Sequence, residues 1–165
     1  MPDAKIIDRY LALALLIAAG GPLLTAYISQ YGFGYEPCVL CVYQRIPYGV
    51  VIALGLLALF VKNPEIRRLI PLFAGLAFLI GSGIALYHVG VEQLWWKSAA
   101  PCGASGGAVT NTQDFLAALQ KKPEKSCGDI DWTLFGVSMA TYNVGVSLAL
   151  AIASFCAWRR LRDEA

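Results

Sequence analysis

The chain has 165 residues, 58% of them hydrophobic and 15% charged, with a formal net charge of +2 and a mean hydropathy of +0.59. A soluble domain is nearer half apolar and a quarter charged, so this composition argues against one. The small net charge, with its basic residues beside apolar blocks rather than in one patch, gives no basis for a nucleic-acid partner.

The apolar residues fall in four blocks, at residues 10–28, 38–61, 69–89 and 135–158. Each is near the length of about 20 residues that crosses a bilayer. The pattern predicts an all-α membrane protein, a four-transmembrane-helix bundle forming a single integral membrane domain over residues 1–165. The first block is too long for a signal-peptide core and leads straight into the bundle. Gly20, Gly21 and Pro22 predict a kink inside it, since membrane helices accommodate proline where neighbours satisfy the freed backbone groups. A short polar loop, residues 29–37, leads to the second block. Lys62, Asn63, Pro64, Glu65, Ile66, Arg67 and Arg68 make a basic turn before the third. The long polar loop of residues 90–134 follows. There Asn111 or Thr112 caps an expected short helix over residues 113–121, with Phe115, Leu116 and Leu119 on one face. Such an amphipathic helix can lie on the membrane surface. Small residues at a spacing of four, Ala77, Gly81 and Ala85 in the third block and Thr141, Gly145, Ala149, Ala153 and Ala157 in the fourth, predict close helix contact on both faces.

Basic residues near helix ends set orientation. Lys5, Arg9, Lys62, Arg67, Arg68, Arg159, Arg160 and Arg162 lie on one side, against Lys97, Lys121, Lys122 and Lys125 on the other. Both termini are therefore expected in the cytoplasm, and the two loops outside it.

This topology puts four of the five cysteines, Cys38, Cys41, Cys102 and Cys127, on the outer side, where two disulfides are expected. Cys156 sits at the inner end of the last helix and reads as a small apolar filler. Cys38 and Cys41 carry more information. A C-x-x-C pair is a recurring redox dithiol with acidified thiols. With Pro37 suited to the first helical position, Cys38 is expected in the first turn, where the helix dipole favours a thiolate. Arg45, four residues after Cys41, shares its helix face. An arginine one turn inside an apolar segment is costly and marks function. There it favours a Cys41 thiolate or an oxyanion on a bound cofactor. Cys102 and Cys127 close a loop that as a staple is worth about 3 kcal/mol. Exposed and mobile, they would instead be open to attack by a partner thiolate. His88, at the outer end of the third block, is the single histidine. It could bond a cofactor oxygen or shuttle a proton, or, with Cys38 and Cys41, contribute to a metal site.

The segment Pro37-Cys38-Val39-Leu40-Cys41-Val42-Tyr43-Gln44-Arg45 closely resembles the signature of the DsbB family, bacterial inner-membrane thiol:quinone oxidoreductases. The likeness spans nearly the whole chain: four helices, both termini inside, His88 ending the third helix, and a second cysteine pair in a long periplasmic loop followed by Trp132 and Gly136. It implies that a reduced periplasmic thioredoxin-fold, DsbA-like oxidase attacks a Cys102–Cys127 disulfide, most readily at Cys102. Cys127 would then exchange with Cys38. Cys41 would form a charge-transfer complex or adduct with ubiquinone or menaquinone, supported by Arg45 and His88. The sequence departs from the family pattern in two places. The usual glutamate before the arginine is Gln44, which removes an acidic partner for Arg45 and leaves that arginine free to face the quinone. Pro47 removes a backbone donor near the site. Competing readings are a quinone reductase of the vitamin K epoxide reductase kind, whose C-x-x-C is expected near the chain's end, a non-enzymatic tetraspan protein with static disulfides, and a metal protein.

Overall fold

The computed structural model describes residues 4–99, 125–130 and 132–163, with residues 4–9 as backbone alone. Cys102 and the expected amphipathic helix over residues 113–121 lie outside the described residues. Four helices, α1 (Ala4–Gly32), α2 (Val39–Phe60), α3 (Pro64–Glu92) and α4 (Met139–Asp163), account for most of the described chain. All four are long and apolar enough to cross a membrane.

α1 and α3 run beyond their apolar blocks at both ends, α4 beyond its block at the C-terminal end, and α2 keeps within its block. α3 starts at Pro64, whose missing N–H suits the first position. Asn63 caps it through Oδ1, which accepts from the Glu65 N–H at 2.9 Å, so the basic turn belongs to the helix. α1 is continuous through Pro22 to Gly32. α4 begins later than its apolar block. Residues 133–138 form a hairpin first, β1 (Thr133–Leu134) pairing antiparallel with β2 (Val137–Ser138). Its two turn residues, Phe135 and Gly136, have φ of 52° and 77°, the left-handed pair that a tight two-residue hairpin requires.

α2 packs between α1 and α3, and α3 packs along α4. The core joins Ala12, Leu15 and Ala19 of α1 to Tyr48 and Val51 of α2, Ala74 and Phe78 of α3 and Ala151 of α4. The small-residue face of α3 is buried at Ala77, Gly81 and Ala85. A Cβ on Gly81 would stand 3.3 Å from the Pro47 ring. The corresponding stripe on α4 does not pack. Thr141, Gly145, Ala149 and Ala153 are exposed, and the buried residues of α4 are Ala140, Ser147, Ala151 and Ser154. Two of those four carry hydroxyls, which find protein partners inward and none in lipid. Cys156 is exposed rather than a filler.

Candidate functional site

The chain turns into α2 through Pro37, and Cys38 is the helix N-cap rather than part of the first turn. Its Sγ accepts from the Cys41 backbone N–H at 3.3 Å, which serves one of the helix's unpaired donors. The cap geometry folds the two cysteines together, with their sulfurs 2.9 Å apart and unbonded. His88 Nε2 reaches to 3.6 Å from Cys38 Sγ and to 3.2 Å from the backbone carbonyl of Cys127. Cys127 is disulfide-bonded and buried. It packs in one cluster with Cys38, Leu40 and Val91. Of the residues singled out from sequence, Cys38, Cys41, His88 and Cys127 thus meet at one end of the bundle.

These contacts acidify Cys38, whose pKa falls to about 4 from 9.0. The hydrogen bond from the Cys41 thiol is the largest cause. Burial acts against it, and His88 and the Cys41 N–H add to the stabilisation. With three donors converging on Cys38, the shared proton stays on Cys41, and Cys38 is the thiolate of the pair.

Cys38 is buried, whereas Cys41 is half-exposed to a cavity of about 420 Å³. The cavity lies between α1 and α4, which do not pack along each other as the other neighbours do. Pro22, Thr25 and Ala26 of α1, Tyr142 and Val146 of α4, and Trp132 give it mainly apolar walls. Cys41, Arg45 and His88 supply polar groups. Arg45 does share the Cys41 side of α2, and it has a partner: it donates to Gln30 Oε1 at 2.5 Å and stands over the Tyr27 ring at 4.9 Å.

Gln44 takes a different place from the one expected of it. It is buried, points away from Arg45 and bonds His88 Nδ1 through Nε2 at 2.8 Å. Neighbours in sequence on a helix point in different directions, so Gln44 has no part in the setting of Arg45. Further residues complete the site that motif reading passed over. Asn143 donates to Gln44 Oε1 at 2.6 Å and accepts from the Tyr48 hydroxyl at 2.5 Å. Glu92 Oε1 lies 3.8 Å from His88 Nε2, while its Oε2 accepts from Ser138 at 2.5 Å. Ser138 also accepts from the Thr141 N–H at 3.3 Å at the start of α4. The available signal for Asn143 and Glu92 was their polarity in or at the end of an apolar segment. Among the described residues, no buried side-chain nitrogen or oxygen lacks a hydrogen-bond partner.

Cys38, Cys41 and His88 offer metal-ligand atoms within 4.8 Å of one another. Two thiolates on one tetrahedral zinc, with bonds of about 2.3 Å, stand about 3.8 Å apart. The observed 2.9 Å is shorter than that spacing.

A C-x-x-C at the start of a membrane-length helix, with a histidine and a second, bonded cysteine against it, is the arrangement of a thiol–disulfide exchange site, and comparison with known proteins places it among transmembrane oxidoreductases of disulfide bond formation. The family model for disulfide bond formation protein DsbB matches residues 8–157. The disulfide bond formation protein B of Acinetobacter baumannii is 28% identical over 96% of this chain and 91% of its own length. That of Xylella fastidiosa is 31% identical over 80% of this chain and 79% of its own. That of Methylobacillus flagellatus is 32% identical over 84% and 88%. The chain belongs to the DsbB family.

Proposed function

We propose that this protein reoxidises a periplasmic DsbA-like dithiol oxidase and passes the electrons to a membrane quinone. The observation that carries the proposal is the division of the C-x-x-C. Both line the cavity, but Cys38 is the buried one, in the cluster with Cys127, and Cys41 is the more exposed of the two. In this reading both termini are cytoplasmic and both cysteine pairs periplasmic, in the bacterial inner membrane, as the distribution of basic residues favours.

The partner's thiolate attacks a Cys102–Cys127 disulfide at Cys102, which releases Cys127 as a thiolate. Cys127 attacks Cys38 in a Cys38–Cys41 disulfide, and Cys41 leaves as the thiolate. A second partner thiolate then attacks the partner sulfur bonded to Cys102, which restores the partner's disulfide and releases Cys102 as a thiolate. Cys102, in turn, attacks Cys127 and re-forms the loop disulfide, which leaves Cys38 and Cys41 as the reduced pair. Two electrons have by then moved from the partner dithiol to Cys38 and Cys41, which hold one proton between them.

The cavity suits a quinone by its apolar walls, its position between two membrane helices, and the cation and thiol directed into it. Cys41, Arg45 and His88 would hold the quinone's polar ring. A bound ubiquinone or menaquinone supplies a two-electron acceptor. Arg45, fixed by Gln30, favours negative charge on the cavity side of Cys41. His88 holds a proton at Nε2, beside Cys38.

The test is oxidation of a reduced DsbA-like substrate by the purified protein, with ubiquinone and menaquinone analogues compared. Turnover is expected with at least one analogue and none in Cys41→Ser. Full activity of Cys41→Ser would overturn the proposal.

A further inference from the structure

We propose that Gln44 is a positioning residue that fixes the tautomer of His88, keeping the proton of the neutral imidazole on Nε2, toward Cys38. The proposal deepens the reading of Cys38 as the thiol that exchanges with Cys127.

The amide of Gln44 can be oriented from its surroundings. Its Nε2 lies 3.3 Å from the Leu40 carbonyl oxygen, which can only accept. Its Oε1 takes the Asn143 Nδ2 hydrogen bond at 2.6 Å. Turning the amide over would set oxygen against the Leu40 carbonyl and one NH₂ group against another. Turning Asn143 over as well would relieve the second clash, because the Tyr48 and Ser147 hydroxyls can re-orient. The clash with Leu40 would remain, so that carbonyl sets the direction of the chain. The group 2.8 Å from His88 Nδ1 is therefore the amide NH₂, a donor. Nδ1 must present its lone pair, and the proton of the neutral ring resides on Nε2.

On the Nε2 side every neighbour accepts: Cys38 Sγ at 3.6 Å, the Cys127 carbonyl at 3.2 Å and Glu92 Oε1 at 3.8 Å. The ring is thus ordered from both ends. A second proton, on Nδ1, would face the amide NH₂ and find no acceptor. Of the ionisable groups around the ring, Cys38 and Glu92 favour that second proton. Arg45 and Lys125 line the same cavity and oppose it, while Glu36 and Asp129, also on its wall, act with Glu92; Cys41 and the hydroxyls of Tyr35, Tyr48 and Tyr142 complete its ionisable lining. Gln44 is the neutral member whose hydrogen-bond direction decides among them. A carboxylate in its place would accept from Nδ1–H and admit the imidazolium.

Because the chain has one histidine, ¹⁵N-histidine labelling of the full-length protein in lipid nanodiscs gives one imidazole to follow. At neutral pH the wild-type spectrum is expected to show a protonated Nε2 and an unprotonated, hydrogen-bonded Nδ1. In Gln44→Leu the Nδ1 resonance moves downfield, toward a nitrogen without a donor. In Gln44→Glu both nitrogens are protonated at the same pH, and the pH profile of Cys38 alkylation shifts with them. Gln44→Met, which likewise removes the amide donor, moves Nδ1 in the same sense as Gln44→Leu, and it serves if that variant does not fold. A wild-type Nδ1–H tautomer or imidazolium at neutral pH overturns the proposal, as does an Nδ1 resonance unmoved in these variants. The spectra do not depend on turnover. The expected spectra in a protein that oxidises no dithiol would therefore overturn the proposed function and leave this inference standing.

Discussion

Arg45 donates to Gln30 at 2.5 Å, so the cation of α2 is held by α1 across the cavity wall. Hydrogen bonds to charged groups contribute about 1.5 kcal/mol or more, and 1.4 kcal/mol is a factor of about ten. Gln30→Ala is therefore expected to raise the apparent KM for quinone about tenfold, and Arg45→Ala further. Steady-state titration with a soluble quinone analogue measures both. An effect confined to turnover of the protein substrate would contradict this role.

The acidified Cys38 gives a signed pH dependence. In the reduced protein its ionisation is expected near pH 4, against 9.0 for an ordinary thiol. The folded chain prefers the thiolate, so the unfolded chain binds more protons between those values and stability rises with pH across the window. The contribution is fully present above pH 9.0 and is lost as the pH falls through about 4. Rates of thiol alkylation against pH, resolved by mass spectrometry, give the midpoint. Cys41→Ala removes the largest cause and moves the midpoint up. Cys41→Ser, whose hydroxyl still donates, moves it less.

Two glycines on neighbouring helices should behave oppositely. Gly81→Leu forces a side chain against Pro47 and Ser147, an overpacking that costs about 1–3 kcal/mol. Gly145 has nothing within 4 Å of an added Cβ, so Gly145→Leu should change stability by less than about 0.5 kcal/mol. Thermal unfolding in detergent compares them.

At the C-terminal end of α3, Gly90 makes room for Trp96. A Cβ there would lie 2.0 Å from the indole carbon Cζ2. The indole stacks on Tyr87 at 5.8 Å and its Nε1 donates to the Tyr87 carbonyl at 3.1 Å. Gly90→Ala should expel Trp96, with a red-shifted tryptophan emission and about 1–3 kcal/mol of stability lost.

The number and order of the helices were legible because a bilayer demands long apolar runs. Their ends were not, since Asn63 and Ser138 cap by hydrogen bonds that hydropathy does not register. The stripe from Thr141 misled because a periodicity of small residues marks a face but not what lies against it. Ser147 and Ser154 carried the better signal, as hydroxyls seek protein partners. At the site, C-x-x-C spacing pointed to Cys38 and Cys41. The partnership of Gln44 with His88, 44 residues away, depends on how α2 and α3 are rotated against each other, and no local motif encodes that angle.

The gap between α1 and α4 has a consequence for how the protein meets its small substrate. If the chamber takes a quinone as proposed, it would draw it from the hydrocarbon phase, so its occupancy would follow the quinone's mole fraction in the lipid rather than its amount in the suspension. Diluting the same protein and quinone with extra lipid should then slow turnover, while diluting them with buffer should not, as long as the dithiol partner stays saturating. The growth state of a cell, through the composition of its membrane, would on this account set the pace of oxidative folding outside it.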